Sequence, residues 1–130
     1  TRAHLICLTN LYAGSGGDEL PYEFQLKNLG PVIGTRTWGG LVGISMGLDL
    51  VDSGSVTAPD YRIYNEKGEW VVENVGVRPD IEVDLDPAEM ARGWDAQLMK
   101  GVEVLLEKIK AEPRPWPKRG SFPVDATAPR

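Results

Sequence analysis

The chain has 130 residues, the length of one domain, and 42% of them are apolar, enough for a real core. Its formal net charge of −5 argues against a nucleic-acid partner, and no apolar run approaches the ~20 residues that a bilayer-spanning helix needs. A lone cysteine, Cys7, excludes an internal disulfide, and one histidine with one cysteine makes a poor zinc site, so neither metal nor cofactor is expected. No signal peptide is visible, so a soluble, cytoplasmic protein with no membrane partner is expected. Thr1-Arg2-Ala3 leads straight into an apolar run, which reads as the start of a fragment or of a processed chain.

Glycine and proline cut the sequence into short elements. Leu5 to Leu8 reads as a buried strand, with Cys7 in the core. Asp18 to Asn28 reads as a helix, with Pro21 tolerable only in its first turn and Gly30 as its stop. Val32-Ile33 opens a short strand, and Gly39-Gly40 forms a turn. Leu41 to Ile44, Leu48 to Val51, Ser55 to Ala58 and Tyr61 to Tyr64 read as further strands, and Asn65-Glu66-Lys67-Gly68 as a hairpin turn. Asp80 to Val83 is a strand or an extended segment. Asp86-Pro87 opens a short helix. Trp94, Leu98, Val102, Leu105 and Ile109 recur at helical steps, one face of a helix of about fifteen residues. Beyond Glu112, Pro113, Pro115, Pro117, Pro123 and Pro129 prescribe an extended tail, with Trp116 and Phe122 placed to anchor it on a neighbouring surface. The chain thus divides into a folded unit over 1–111 and a proline-rich tail over 112–130.

The run Ala13-Gly14-Ser15-Gly16-Gly17-Asp18 carries the most chemistry. It stands between a strand and a helix, so a serine at the apex turns its hydroxyl outward. Backbone N–H groups at the helix start then face the same small volume. A plain turn, an anion cradle and a nucleophile beside an oxyanion hole all fit this pattern. Asp18 and Glu19 in the first turn would repel a phosphate, and no Walker lysine follows the glycines. A nucleophile needs a base within ~3 Å. The only histidine, His4, precedes the strand, and the step from His4 to Asn10 alone spans ~20 Å. Lys27 would stand ~18 Å along the helix. If Ser15 is a nucleophile, its base lies outside these residues.

Two further segments accompany the serine loop. They are Gly34-Thr35-Arg36-Thr37-Trp38-Gly39-Gly40-Leu41-Val42-Gly43 and Val72-Glu73-Asn74-Val75-Gly76-Val77-Arg78-Pro79-Asp80-Ile81. In this order and spacing the three segments resemble the tail-specific, carboxy-terminal processing serine peptidases, and within them the catalytic C-terminal portion of the tricorn-like branch. The resemblance runs from Leu5 to about Ile109. It implies an α/β architecture, the ββα superhelix of the Clp protease and crotonase type. Residues 1–111 would be the C-terminal part of the catalytic domain. It implies Ser15 as nucleophile, Gly16 as one oxyanion N–H donor, and Glu73 as the carboxylate that organises the serine–histidine network. A sister branch uses a lysine base in a Thr-x-Gly-Lys-Gly segment. Here that lysine position is Gly40, which points to the histidine branch.

In that branch the histidine, a second oxyanion donor and the acidic specificity residue all lie upstream of the nucleophile. The resemblance therefore implies a peptide substrate, a homo-oligomer, and an upstream part of the same protein that supplies the base. The isolated chain would be inactive. Three other readings stay open on the sequence: a binding or scaffold module of the same fold, a crotonase-like acyl-thioester enzyme, and a bare structural fragment.

Overall fold

A computed structural model describes residues 2–44 and 47–121 of the chain. Three short strands, β1 (Cys7–Thr9), β2 (Val32–Gly34) and β5 (Ile81–Glu82), form a parallel sheet in the order β1-β2-β5. Cys7 lies opposite Val32, Leu8 opposite Ile33 and Thr9 opposite Gly34. A separate exposed hairpin pairs β3 (Gly47–Asp49) with β4 (Ser55–Thr57) antiparallel. Helix α1 (Gly16–Leu26) connects β1 to β2, while α2 (Pro87–Ala91) and α3 (Ala96–Ala111) follow β5.

Successive strand side chains point to opposite faces of a sheet. Cys7 and Val32 cluster with Phe24 of α1. Ile6 and Leu8, on the other face, lie against Gly101 of α3. The two long helices therefore cover opposite faces, as a parallel sheet requires. Val32 and Ile33, neighbours in the central strand, are both 0% exposed for this reason. Each such side chain contributes about 1.5–3 kcal/mol by leaving water. Burial also pushes the Cys7 thiol above its ordinary pKa.

Several expected boundaries move, each for a local reason. Helix α1 starts at Gly16, so Pro21 falls in its second turn rather than its first, fully buried. Asn28, at φ 50°, ends this helix rather than Gly30. Its N–H bonds the Gln25 carbonyl, and the Leu29 N–H bonds that of Phe24. Leu41 to Ile44 forms no strand. Its Leu41 and Val42 amides donate to the Glu73 carboxylate instead of to a neighbouring strand, and only Gly43 makes an isolated bridge, to Tyr61. Tyr61 to Tyr64 likewise contributes two isolated bridges, the second from Tyr64 to Trp70 across the expected 65–68 turn.

Helix α3 has the expected length, capped by the Asp95 carboxylate on the Leu98 N–H at 2.9 Å. Trp94 lies just before this cap, outside the helix. The apolar stripe through Leu98, Val102 and Ile109 is exposed rather than packed. Gln97 and Gly101 face the sheet instead, and Gln97 donates to the Val83 carbonyl at 2.9 Å. Asp86 caps α2 as the sequence requires, accepting from Ala88 and Glu89. The start of the tail folds back: Arg114 donates to the Arg2 and Ala3 carbonyls. Trp116 stays 94% exposed where it lines a cavity with Leu105 and Ile109 of α3, while Phe122 lies outside the described residues.

Asp80 ties α1 to the sheet. Its carboxylate accepts from the Val32 N–H at 2.7 Å and from Gln25 Nε2 at 3.0 Å. Asp80→Ala strands the Val32 amide and is expected to cost about 1–3 kcal/mol. Urea unfolding should then show a lower midpoint at an unchanged slope.

Candidate active site

The parallel register puts the C-terminal ends of β1 and β2 on one side of the molecule. The chain leaves β1 at Thr9 and reaches Ser15 at the entrance to α1. It leaves β2 at Gly34 and enters a strap, residues 36–42, that crosses beside the serine. A loop over 71–77 closes the group from the other side.

Ser15 occupies the N-cap position of α1 at φ 55° and ψ −116°, outside the usual basins for a residue with a side chain. A serine at an N-cap ordinarily bonds its hydroxyl to the helix's first amides. Here no such bond exists, and the residue is exposed. The hydroxyl is free of a capping role. Gly16, the first helical residue, is also exposed, and among the described residues its N–H has no acceptor. Among the described residues, the opening of α1 thus presents a hydroxyl and an N–H donor without partners, side by side at the positive end of the helix dipole.

Four hydrogen bonds stitch the strap to this elbow. The Trp38 N–H donates to the Ala13 carbonyl at 2.9 Å, and the Ser15 N–H to the Gly40 carbonyl at 3.0 Å. The Asp18 carboxylate, 0% exposed, accepts from the Gly39 N–H at 2.8 Å and the Gly40 N–H at 3.1 Å. Read as a sequence, Asp18 is only a first-turn acid. The structure makes it the buried link between helix and strap. The sole sequence signal was its place three residues after the serine.

Glu73 holds the next two amides. Its Oε2 accepts from Leu41 at 2.6 Å and Val42 at 2.8 Å. The Gly40–Leu41 peptide unit therefore bonds Ser15 through its carbonyl and Glu73 through its N–H. At most about 8 Å separates the Ser15 amide nitrogen from that carboxylate oxygen along this path. The flanking residues Val72 and Asn74 both have positive φ, 68° and 61°. For a β-branched valine this is a real outlier, and such strain collects at functional sites. The Asn74 N–H reaches the Gly39 carbonyl at 2.7 Å, and Arg36 Nη1 bonds the carbonyls of Thr37, Trp38 and Val75. Gly39 sits at φ 87°, where an added Cβ would lie 2.6 Å from the Gly76 nitrogen. A cavity of about 560 Å³ opens beside Glu73, bounded by Trp38, Gly39, Gly40 and Val42, with Arg36 and Arg78 at its edge.

His4 stands at the opposite end of β1. Its Nε2 lies 2.9 Å from the Glu112 carbonyl, beyond the end of α3, so it is not brought to Ser15. Lys27, the C-cap residue at the far end of α1 from Ser15, is paired with Glu23 at 2.7 Å, a hydrogen bond that raises its pKa. At the lysine position of the sister branch, a side chain would meet the ring of Trp38. A Cβ on Gly40 would lie 2.5 Å from Trp38 Cε3, and one on Gly14 would lie 2.6 Å from the same atom.

Residues 1–83 match the family model for peptidase family S41. The chain belongs to this family. The tricorn protease of Thermoplasma acidophilum is 38% identical over 120 residues, which is 92% of this chain and 11% of that protein. The tricorn protease of Thermoplasma volcanium is 41% identical over 111 residues, 83% of this chain and 11% of that one. A crystal structure of the tricorn protease superposes with a TM-score of 0.74 at 39% identity, covering 81% of this chain and 10% of that chain. The chain is a mixed α/β unit with a parallel sheet, similar in fold to tricorn protease, and by sequence it groups with the serine proteases of the tricorn family. It matches their C-terminal portion and spans about a tenth of their length.

Gly40→Ala should force Trp38 off the serine loop and destabilise the chain by about 1–3 kcal/mol. The melting temperature should fall accordingly. Adding Trp38→Ala should recover part of the loss, because the clashing ring is then gone.

Proposed function

We propose that this chain carries the nucleophile of a serine peptidase whose histidine base comes from another part of the same protein. The carrying observation is Ser15 itself: a strained residue with an uncommitted, exposed hydroxyl at the junction of a parallel strand and a helix. Membership of peptidase family S41 supports the reaction type. The ββα superhelix of the Clp protease and crotonase type is the frame in which we read the sheet and its two helices.

In this reading Ser15 Oγ attacks the carbonyl carbon of a peptide bond. The histidine takes the hydroxyl proton and delivers it to the departing amine, leaving an ester on Ser15. Water, deprotonated by the same histidine, then hydrolyses that ester and restores the serine. The Gly16 N–H meets the oxyanion as it forms, aided by the N-terminus of α1. Glu73 organises the serine–histidine network from the far side of the Gly40–Leu41 peptide, and its bonds to Leu41 and Val42 fix where its carboxylate can act. The substrate is a peptide, and the working enzyme is a homo-oligomer.

A fluorophosphonate probe tests the assignment. In the longer protein it should label Ser15, and Ser15→Ala should abolish labelling and peptide cleavage together. A scaffold module or an acyl-thioester enzyme would show no such labelling. The purified 130-residue chain should hydrolyse short peptide amides no faster than background, since loss of a base from such a triad costs several orders of magnitude. Turnover by that chain, lost on Ser15→Ala, would mean that a base lies within it.

A further inference from the structure

We propose that Asp18 is a positioning residue for the nucleophile, acting through the Gly39–Gly40 backbone; this rests on the reading of Ser15 as the attacking group. Asp18 touches no reacting atom. Its two oxygens grip two consecutive amides of the strap, at 2.8 and 3.1 Å. The carbonyl of the second gripped residue, Gly40, is the acceptor for the Ser15 N–H at 3.0 Å. One carboxylate thus fixes the group that holds the strained serine backbone in place.

The chemistry of the side chain fits this task and no ordinary helix role. Asp18 lies in the first turn of α1, where a carboxylate usually faces water or caps its own helix. Instead it is 0% exposed and bonds a distant segment. A buried charge is costly unless paired and hydrogen-bonded, so its position must be over-determined. An ionised carboxylate is an acceptor at both oxygens, which suits two converging N–H donors. An asparagine of the same shape must turn its amide group toward one of them. Asp18 therefore sets the height of the strap over the elbow, and with it the direction of Ser15 Oγ and of the Gly16 N–H.

The test is Asp18→Asn in the longer protein that contains the base, read well below its melting temperature. Misplacement of a reacting group by an ångström costs on the order of 100-fold in rate. We expect the fluorophosphonate labelling rate and kcat to fall about 10- to 100-fold, with KM within about twofold. A lowered melting temperature with wild-type labelling rate and kcat would show a merely structural residue and overturn the proposal. Where Asp18→Asn does not fold, Asp18→Ser, which removes the carboxylate and leaves a hydroxyl one bond short of the Gly39 and Gly40 amides, gives the same comparison. If neither variant folds, Asp18 serves stability alone and the proposal fails. Ser15→Ala is the control that separates the two readings. Labelling that survives it sinks the nucleophile assignment, whereas labelling that it abolishes, beside an unimpaired Asp18→Asn, sinks only the positioning role.

Discussion

Four successive backbone amides, those of residues 39 to 42, are each held by a carboxylate: two by Asp18 and two by Glu73. The rest of the site depends on this clamp. The strap leaves the sheet after β2 and has no strand partner for these donors. Buried or half-buried amides must find acceptors, and two acidic side chains supply them. Hydrogen bonds to ionised acceptors are the stronger kind, so the strap is held where neutral partners would leave it looser. A strained φ/ψ pair such as that of Ser15 costs about 1–3 kcal/mol and persists only where its surroundings over-determine it. The clamp is that surrounding.

The layered fold determines where this clamp can be built. Helices α1 and α3 cover both faces of the sheet, which leaves its ends free. In open parallel sheets the carboxyl ends of the strands are where chain segments diverge and ligands enter. Here β1 delivers the serine and β2 delivers the strap at that same end. The Glu73 loop comes from the segment just before β5, and Asp80 anchors that segment by bonding the Val32 amide. His4, at the other end of β1, is joined to the C-terminal side of α3. The parallel register that gathers the site also removes the chain's only histidine from it.

The serine elbow was legible because glycines, an apolar strand and a helix start give a local signal that needs no tertiary partner. Helix α3 was legible in length but not in orientation. Periodicity counts apolar residues, whereas the sheet-facing side is set by Gly101, which lets the helix approach Ile6, and by Gln97, whose amide satisfies a carbonyl. The missing strand at Leu41 to Ile44 and the hidden role of Asp18 are one error seen twice. Both depend on pairing between side-chain carboxylates and backbone amides more than twenty positions away, and no window along the chain contains both partners. The Glu73 segment could be singled out only by family resemblance, since nothing local distinguishes it from Glu66 or Glu69.

Trp38 occupies the volume that a side chain at position 40 would need, which fits the proposed reading of a base supplied from elsewhere. Its ring fills the space between Gly14 and Gly40, against both glycine backbones. A lysine at position 40 would need that space for its own Cβ before its stem began. The ring and the lysine are alternative solutions to one volume, and this chain has taken the ring. Beside the tryptophan stand a strap stitched by hydrogen bonds and, among the described residues, a serine hydroxyl and a helix-start amide with no partner. In the proposed reading, a histidine approaching Ser15 from outside would meet a serine already held in place. It would then contribute proton transfer without having to organise the loop it serves.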